Sequence, residues 1–495
     1  MVYSVECPLT CAAKKFANKP AIIYAAKTLT YSQLAQCVEQ SAVRLKDFGI
    51  KRRNRIAIYL SNCPEYIICL LALWRIGAVA CPLSIRLPKE RLETLLVQID
   101  CQQLITSPDC LPFPPINFLK KYNIYDAASS RIIMPCEIKK FRMALSQETT
   151  IIFTSGSTSH PKAVLHSYGN HYFSAKGSNK NIPVRPGDRW LLSLPLYHAG
   201  GLGIILRVLL AGATIVIAPE DSNLTRIISK QKVTHASFVA TQLYRFFYKP
   251  YNFKILGRLK AILLGGSPIP DFIIKRALHE NLPIYKTYGL TEMASQVAAT
   301  TRNDLLKRRM DSYRILPFRQ VKITDDGEIF VKGETLCQGY VRAKSVDLPL
   351  EQEGWFRTGD FGRLDNNGRL YVTGRKDNMF ISGGENIQPE EIERKLCSRS
   401  DILNAVVVPV ANKEFGARPV AFIKPKNKSK IRVKELTAQL ERHVERFKIP
   451  DVFFEWPREI VPGELKINRQ ILTKYAEGQL KLLRRLGKGL AKLNR

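Results

Sequence analysis

The sequence predicts an α/β protein of at least two domains. The chain has 495 residues, which exceeds the length that one hydrophobic core usually serves. Its first third alternates helical patterns with short apolar strands, and such alternation is typical of α/β folds. From Arg319 onward the pattern changes to short strands and tight turns, which predicts antiparallel hairpins. A second α/β unit is predicted to begin after Gly374 and Arg375.

The clearest elements are two helices and four strands. Apolar periodicity predicts an amphipathic helix over residues 31–48 and a buried helix over 64–76. Strands are predicted at residues 55–60, 149–153, 213–218 and 261–264, and the last three each end in a loop rich in Gly, Ser or Pro. Because ligands bind at the carboxyl ends of strands in α/β sheets, we expect the functional site at these loops.

The composition is that of an ordinary globular protein, with 45% hydrophobic and 24% charged residues. The first 20 residues lack the order of a secretory signal, and no apolar run is long and clean enough to span a membrane. The 11 cysteines contain no C-x-x-C pair, which argues against a zinc site or a disulfide framework. We therefore expect a cytoplasmic protein with reduced thiols and no membrane span.

The net charge of +33 is the unusual bulk property. The excess is spread along the chain, which favours a compositional bias over a dedicated nucleic-acid surface. Polyanionic small-molecule substrates would also benefit from it. The tail at 479–495 carries basic residues among leucines at helical spacing, so a surface helix with weak contact to anionic membranes is possible there.

The most informative segment is FTSGSTSHPK at residues 153–162, directly after an apolar strand. Small hydroxyl residues around Gly156 let N–H and O–H groups converge on phosphate oxygens, and Lys162 supplies a positive charge. The spacing is not that of P-loop NTPases. Taken alone, such a composition more often marks an ordinary loop.

Six further blocks follow in order: LSLPLYHAGG at 192–201, LLGGSPIP at 263–270, YGLTEMAS at 288–295, GWFRTGD at 354–360, GRKDNMFISGGENIQPEEIE at 374–393 and GELKINRQ at 463–470. Together with the phosphate loop, this series resembles the adenylate-forming superfamily of acyl-CoA synthetases, luciferases and peptide-synthetase adenylation domains. The resemblance spans about residues 20–475. It implies a large N-terminal domain of two α/β subdomains plus a small β-barrel-like subdomain, followed by a small mobile α+β domain.

The resemblance also implies a two-step reaction. A carboxylate and ATP give an acyl adenylate and pyrophosphate, and the CoA thiol then displaces AMP. Because one anion attacks another in the first step, Mg²⁺ and cationic side chains must neutralise charge at the α-phosphate.

Site residues are carried over from the matching motifs. Thr291 and Glu292 match the pair at the α-phosphate, with Glu292 also the magnesium ligand, although Glu292 could instead be a solvated helix-end acid. Lys466 matches the mobile adenylation lysine. Tyr288 matches the ring stacked on adenine, and Asp360 the acid that accepts the ribose hydroxyls, with Arg375 beside it. The full set of expected ATP and AMP contacts is Thr154, Ser155, Gly156, Ser157, Thr158, Lys162, Gly265, Gly266, Ser267, Tyr288, Gly289, Asp360 and Arg375.

The same resemblance divides the chain into a large domain at 1–374, a hinge at 375–377, a small domain at 378–478 and a basic tail at 479–495. Asp377 matches the hinge residue. The expected CoA channel consists of Ser382, Gly383, Gly384 and Glu385, although this loop could also be purely structural.

Two positions depart from the family pattern. Ser159 stands where glycine is usual, which costs roughly 1 kcal/mol if the backbone there needs φ > 0. Leu465 replaces the glycine before the lysine, which puts the register of Lys466 in doubt.

The blocks around the acyl pocket are most similar to those of o-succinylbenzoate-CoA ligases. There an arginine meets the second carboxylate of the substrate, and Arg207 matches its position. An arginine in an apolar helix is costly unless paired, which favours an anionic ligand, with a buried acid or carbonyl as the alternative partner. His198, Ser237 and Gln296 are expected to line the pocket. His198 is not expected to act as a base, because a carboxylate is already ionised near pH 7.

Of three alternative functions, one stays open and two are disfavoured. The chain could be a ligase for another aromatic or fatty acid. It could also be a basic nucleic-acid-binding or membrane-binding protein on a degenerate ligase scaffold, a hypothesis disfavoured because the catalytic residues are retained. A serine hydrolase is disfavoured because no G-x-S-x-G motif occurs. The sequence leaves the oligomeric state open, including a homo-oligomer.

Overall fold

A computed structural model describes the fold at residues 3–107, 120–128, 138–154, 161–220, 222–247, 251–266, 269, 271–301, 303–304, 307, 311–343, 345–383, 385–412, 414–426, 432–457 and 469–485. The helices are α1 Pro8–Lys15, α2 Tyr31–Asp47, α3 Pro64–Ile76, α4 Lys89–Gln98, α5 Ile124–Ala127, α6 Tyr168–Asn181, α7 Ala199–Ala211, α8 Leu224–Lys230, α9 Ala240–Phe246, α10 Tyr251–Leu256, α11 Asp271–His279, α12 Pro389–Cys397, α13 Val433–Glu441 and α14 Arg469–Arg485. Short 3-10 helices lie at Thr291–Met293, Gln352–Gly354, Lys376–Asn378 and Arg446–Lys448.

The strands of the first three hundred residues are β1 Ser4–Glu6, β2 Pro20–Tyr24, β3 Lys27–Thr30, β4 Arg55–Tyr59, β5 Val79–Leu83, β6 Gln103–Thr106, β7 Lys120–Asn123, β8 Arg142–Ala144, β9 Glu148–Phe153, β10 Ala163–Ser167, β11 Arg189–Leu192, β12 Thr214–Ile217, β13 His235–Phe238, β14 Ala261–Leu264, β15 Ile284–Leu290 and β16 Ser295–Ala299. The later strands are β17 Ser312–Ile315, β18 Gln320–Ile323, β19 Glu328–Lys332, β20 Gly339–Arg342, β21 Ser345–Asp347, β22 Leu350–Glu351, β23 Trp355–Leu364, β24 Arg369–Arg375, β25 Phe380–Ser382, β26 Glu385–Ile387, β27 Ile402–Asn412, β28 Gly416–Pro425 and β29 Val452–Glu455.

Two large mixed sheets form the N-terminal part of the described chain. The first has the order β21-β20-β10-β9-β5-β4-β6-β7, and its strands from β9 to β7 run parallel. The second runs β18-β19-β23-β24-β17-β16-β15-β14-β13-β11-β12-β2-β3. Its strands from β15 to β2 are parallel, and those from β16 to β18 are antiparallel. The predicted antiparallel part therefore continues a parallel sheet.

A small C-terminal domain follows. Its three-stranded sheet β27-β28-β29 has an apolar cluster on each face. Ile392 of α12 and Leu436 of α13 belong to one cluster, and Leu472 of α14 belongs to the other. The predicted class, an α/β chain with a large N-terminal domain and a small C-terminal domain, is confirmed. The boundaries proposed from the sequence stay predictions.

The predicted elements agree with the structure to within one or two residues. The helices predicted at 31–48 and 64–76 are α2 and α3. The four predicted strands are β4, β9, β12 and β14. α2 begins with a capping box in which Thr30 and Gln33 satisfy each other's backbone N–H groups. α3 has Pro64 in its first turn and ends at Gly77 with φ +79°, a conformation that favours glycine.

No helix in the described part of the chain has the length and apolarity that a membrane span requires. No two cysteines at described positions form a disulfide bond.

A buried histidine connects the two large sheets. His166 lies on β10 in the first sheet and is fully buried. Its Nε2 donates a hydrogen bond of 2.7 Å to the carbonyl oxygen of Thr291, which follows β15 of the second sheet. His171, whose Nε2 lies 2.6 Å from Thr150 Oγ1, stacks on Trp74 beside it. Burial lowers the pKa of His166 to about 4, and burial with the neighbouring His166 lowers the pKa of His171. Both imidazoles are therefore neutral near pH 7.

This pair makes stability fall in acid. The folded pKa of His166 is about 4 against 6.5 in the unfolded chain, so its contribution is complete above pH 6.5 and is lost as the pH falls toward 4. Between pH 6.5 and about pH 5, urea unfolding should show a loss of about 2 kcal/mol from this one residue. We expect His166→Gln to remove that part of the pH dependence.

His279→Gln is the matched control, because the side chain of His279 is 77% exposed. It should leave the slope of unfolding free energy against pH as in the wild type. An unchanged slope in the His166 variant would contradict the burial argument.

Candidate active site

The phosphate side of the site begins where β9 ends. Thr154 follows β9, and its N–H donates to the carbonyl oxygen of Lys162 at 2.9 Å, which closes the loop between them at its base. Residues 155–160, with the predicted contacts Ser155, Gly156, Ser157 and Thr158 and the departure at Ser159, lie outside the described residues. The Nζ of Lys162 lies 4.8 Å from the ring centre of Tyr340. The Tyr340 hydroxyl donates to Glu292 Oε1 at 2.8 Å, so the structure brings Lys162 and Glu292 to the same tyrosine.

The turn after β15 carries two sets of predicted residues. Thr291 and Glu292 lie on the 3-10 helix Thr291–Met293, and Gln296 is the second residue of β16. Between them Ala294 has φ +51° and Ser295 φ +112°, conformations that side-chain-bearing residues rarely adopt. Such strain is kept only where surrounding contacts fix the backbone, and it concentrates at functional sites.

Gly289 meets this turn at close range. A Cβ at Gly289 would collide with the carbonyl oxygen of Ser295 on the facing strand. The glycine of the YGLTE block is thus explained by packing, whatever its role toward ATP.

The Asp360 carboxylate is held by two predicted partners. Tyr288 donates from its hydroxyl to Asp360 Oδ2 at 2.6 Å, and Arg375 Nη1 donates to Oδ1 at 3.0 Å. Burial raises the pKa of Asp360, against the lowering effect of Arg375 and of the Tyr288 hydrogen bond. Burial and the adjacent Asp360 raise the pKa of Tyr288. The structure therefore brings together three of the residues predicted to surround the nucleoside.

The segment predicted to flank adenine follows β14. A Cβ at Gly265 would collide with the Thr287 side chain, and Gly266 has φ +88°. Both positions require glycine for reasons of backbone and packing. Ser267, the third predicted residue, lies outside the described residues.

The predicted hinge lies in a network of charges. Arg375 Nη2 contacts Asp377 Oδ2 at 3.2 Å. Lys376 Nζ contacts Glu328 Oε2 at 2.8 Å and Asp326 Oδ2 at 3.2 Å. These bonds attach the segment to β19 of the large domain.

The acid side of the site is built around Arg207 on α7. This residue is 1% exposed, and among the described residues its Nε and Nη1 have no hydrogen-bond partner. Its Nη2 donates to Ser295 Oγ at 3.4 Å, and its guanidinium carbon lies 5.7 Å from the ring centre of Trp190. Burial lowers the pKa of Arg207 to about 10, so the side chain is still cationic near neutral pH.

A buried cation with two unused donors is expensive unless an anion reaches it. No carboxylate of the described residues pairs with Arg207. The described residues therefore provide no buried acid as a structural partner for Arg207, which was one alternative to an anionic ligand.

Two other predicted residues are next to groups that contact Arg207: Ser237 bonds to Trp190, and Gln296 follows Ser295. Ser237 Oγ accepts a hydrogen bond of 3.1 Å from Trp190 Nε1, beneath the guanidinium. Gln296 is 1% exposed and donates to Thr287 Oγ1 at 3.1 Å, while its Oε1 has no partner among the described residues. His198 precedes α7 as its N-cap residue and packs against Tyr197, with ring centres 4.7 Å apart.

The predicted CoA loop is the hairpin of β25 and β26, with Gly384 outside the described residues. Ser382 is buried and accepts from Arg418 Nη1 at 3.3 Å, and Gly383 donates its N–H to Phe415 O at 2.9 Å. Glu385 is exposed. These bonds lie within the small domain.

Lys466 and Leu465 also lie outside the described residues, so the adenylation lysine stays a prediction.

Sequence reasoning missed four residues that support the site: His166, Ser295, Arg319 and Tyr340. Ser295 lies in the YGLTEMAS block, but the block's chemistry does not single it out, and the other three lie outside every block. Each acts through a contact between segments far apart in the chain, for example Tyr340 with Glu292.

A magnesium site built from protein ligands alone is not found, since the described residues contain no group of three or more His, Cys, Asp or Glu placed to hold a metal. Magnesium usually keeps several waters and binds one or two carboxylates plus substrate phosphates. A single protein carboxylate, that of Glu292, is enough for such a site.

The comparisons with known proteins agree with this site. Residues 9–341 match the family described as AMP-binding enzyme, and residues 391–461 match the AMP-binding enzyme C-terminal domain. The 2-succinylbenzoate–CoA ligase of Escherichia coli (strain K12) is 34% identical, over 91% of this chain and 94% of the relative. That of Oceanobacillus iheyensis is 32% identical, over 86% and 89%.

Solved structures give the same result. The o-succinylbenzoate CoA synthetase from Bacillus subtilis, in complex with the acyl-adenylate intermediate, superposes with a TM-score of 0.83 at 28% identity, covering 95% of this chain and 98% of that one. The same synthetase with ATP and magnesium ion gives a TM-score of 0.82 at 28% identity, covering 94% and 99%. The family match over residues 9–341 and the identity to relatives over most of both chains establish that this chain belongs to the AMP-binding enzyme family.

Proposed function

We propose that this chain is an acid–thiol ligase that joins 2-succinylbenzoate to CoA, with ATP converted to AMP and pyrophosphate, in menaquinone biosynthesis. The observation that carries the proposal is the buried Arg207, whose unused donors lie next to the turn bearing Thr291 and Glu292. A ligase for a simple fatty acid has no use for a buried cation in its acyl pocket, whereas an acid with a second carboxylate would pair with it. The curated relatives that carry the same activity in their names support this choice.

In the first half-reaction, a carboxylate oxygen of the acid attacks the α-phosphorus of ATP. The new O–P bond forms as the bond to the β-phosphate oxygen breaks, and pyrophosphate leaves. Lys162 and Lys466 provide positive charge, while Thr291 and Glu292 border the α-phosphate. When bound at Glu292, magnesium supplies further neutralisation of the phosphate charge. No general base is needed, since the acid is already ionised.

The nucleoside is held on the opposite side of the same turn. Asp360, fixed by Tyr288 and Arg375, offers its remaining lone pairs to the ribose hydroxyls. Gly265 and Gly266 let the backbone approach the adenine, with Ser267 and Gly289 beside them. In this proposal the reacting phosphate lies between a fixed sugar and a fixed acid, and such positioning supplies much of the rate in phosphoryl and acyl transfer.

In the second half-reaction, the CoA thiolate attacks the acyl carbonyl carbon and AMP leaves. We assign the approach of the thiol to Ser382, Gly383, Gly384 and Glu385, after rotation of the small domain about Asp377. Lys376 precedes Asp377, so its contacts with Glu328 and Asp326 can remain and fix the large-domain end of the hinge. The partners are thus small molecules, and we place the enzyme in the cytoplasm.

A panel assay tests the assignment. Purified protein with ATP, magnesium and CoA should form a thioester fastest with 2-succinylbenzoate among aromatic, fatty and dicarboxylic acids. Thioester formation with fatty acids alone would favour the alternative ligase. Salt-sensitive DNA or lipid binding without pyrophosphate release would favour a binding protein on a ligase scaffold.

Arg207→Ala should raise the KM for 2-succinylbenzoate about 10- to 100-fold, because a charge-assisted hydrogen bond to the second carboxylate is worth about 1.5–3 kcal/mol. The KM for ATP should change little. Steady-state pyrophosphate release measures both constants.

The control for this variant is a substrate rather than a second protein. An analogue whose non-reacting carboxylate is replaced by a primary amide should bind the wild type and the Arg207 variant with a similar KM. Equal weakening of both acids would mean that Arg207 serves the fold and does not contact the substrate.

Lys466→Ala should lower the rate of adenylate formation about 100- to 1000-fold, in line with the removal of one preorganised group that stabilises transition-state charge. The second half-reaction, started from preformed acyl adenylate and CoA, should keep at least about a third of its rate, since that step needs no charge at the α-phosphate of ATP. Single-turnover assays separate the two steps.

Lys474→Ala is the matched control, an exposed lysine on α14 that should leave both steps unchanged. Full adenylation activity in the Lys466 variant would show that the lysine register inferred from the GELKINRQ block is wrong.

A further inference from the structure

Behind the acid side of the site lies a second buried guanidinium, that of Arg319. The residue is 6% exposed and sits between α6 and β16. Its Nε donates to Gln296 O at 2.6 Å, its Nη1 to Pro317 O at 2.7 Å, and its Nη2 to Ser174 O and Oγ at 3.3 and 3.2 Å. A side chain at Gly177 would collide with Nη1, so the sequence leaves space for this cation.

All of these acceptors are uncharged. Among the described residues no carboxylate forms an ion pair with Arg319, although the exposed Glu334 lies near enough to act on its pKa. Burial and the proximity of Arg207 lower the pKa of Arg319 to about 9, which leaves it cationic near neutral pH. The acid side therefore contains two buried positive charges that repel each other.

Arg319 also fixes the strained turn. It bonds to the carbonyl of Gln296, and its Nη2 contacts Ser174, whose Oγ donates to Ala294 O at 2.7 Å. Ala294 has φ +51°, and the next residue is Ser295, which receives the hydrogen bond of Arg207. Hydrogen bonds to Ala294, Ser295 and Gln296 thus connect both arginines to the same turn.

We propose that Arg319 is a positioning and specificity-determining residue: it holds the Ala294–Gln296 turn, and its charge adds to that of Arg207 to favour an acid with a second, non-reacting carboxylate. This inference rests on the proposed function. With no anion in the pocket, the two cations repel each other. A second carboxylate near Arg207 relieves that repulsion, while a neutral analogue does not.

The test compares 2-succinylbenzoate with the analogue that has a primary amide in place of the non-reacting carboxylate. The readout is the ratio of their kcat/KM values in pyrophosphate release. Arg319→Gln, which removes the charge, should lower this preference about tenfold, a loss of about 1.4 kcal/mol in discrimination. Arg319→Lys, which keeps the charge and loses the fork of donors, should keep the preference within about threefold and lower kcat for both acids.

A second pair of variants leaves Arg319 in place. Ser174→Asp puts a carboxylate beside Nη2, so it should lower the preference about tenfold by compensating the charge. Ser174→Asn introduces a neutral side chain of the same size as aspartate. It should leave the preference for the dicarboxylate as in the wild type. This pair decides the question if Arg319→Gln does not fold, as judged by thermal unfolding.

The outcomes separate two levels of failure. If the wild type shows no preference for the dicarboxylate, the proposed function fails, and this inference fails with it. If the wild type has the preference and both charge-removing variants keep it, only the role of Arg319 is overturned. Equal losses for both acids in every variant would reduce Arg319 to a structural residue.

Discussion

The strained turn between β15 and β16 is the constraint on which the rest of the site depends. Thr291 and Glu292, the residues assigned to the α-phosphate, precede Ala294 and Ser295 with their positive φ angles, and Gln296 on the acid side follows them. A shift of the turn would therefore displace both halves of the site together. Its geometry persists because contacts from three directions fix it: His166 holds Thr291, Ser174 holds Ala294, and Arg319 holds Gln296.

These contacts come from β10 of the first sheet, from α6 and from the turn that precedes β18. His166 belongs to β10 of the first sheet, and its hydrogen bond to Thr291 fixes how β10 meets the turn. Ser174 belongs to α6, which follows β10 directly. The packing of the two sheets is thus part of the site's geometry, and the neutral state of the buried His166 makes that packing sensitive to acid.

The second feature of the site is uncompensated positive charge. Asp360 and Arg375 neutralise each other, as do Lys376 and Glu328 at the predicted hinge. Arg207 differs, because the described residues offer it no carboxylate. In a protein interior such a charge persists only if a ligand pairs with it for part of the reaction cycle or if function repays its cost. In the proposed function, the second carboxylate of the acid supplies that pairing.

Much of the fold was predictable because its signals are local. The capping residue Thr30 and the first-turn proline Pro64 mark helices α2 and α3 in the sequence itself. The antiparallel part was predicted from its turns, but its continuity with the parallel sheet was not, since strand order depends on contacts between distant segments. Similarly, the motifs named Thr291, Asp360 and Arg207, whereas Arg319 and Tyr340 have no local pattern and were found only through their three-dimensional contacts.

The central claim is that one turn aligns the phosphate and the acid. A crystal structure with a non-hydrolysable analogue of the 2-succinylbenzoyl adenylate would test it most directly. The account predicts the phosphate mimic beside Thr291 and the free carboxylate within hydrogen-bond distance, about 3 Å, of the guanidinium of Arg207, with Ala294 and Ser295 still at positive φ. A free carboxylate directed to solvent, with Arg207 bonded to a protein carbonyl instead, would contradict it.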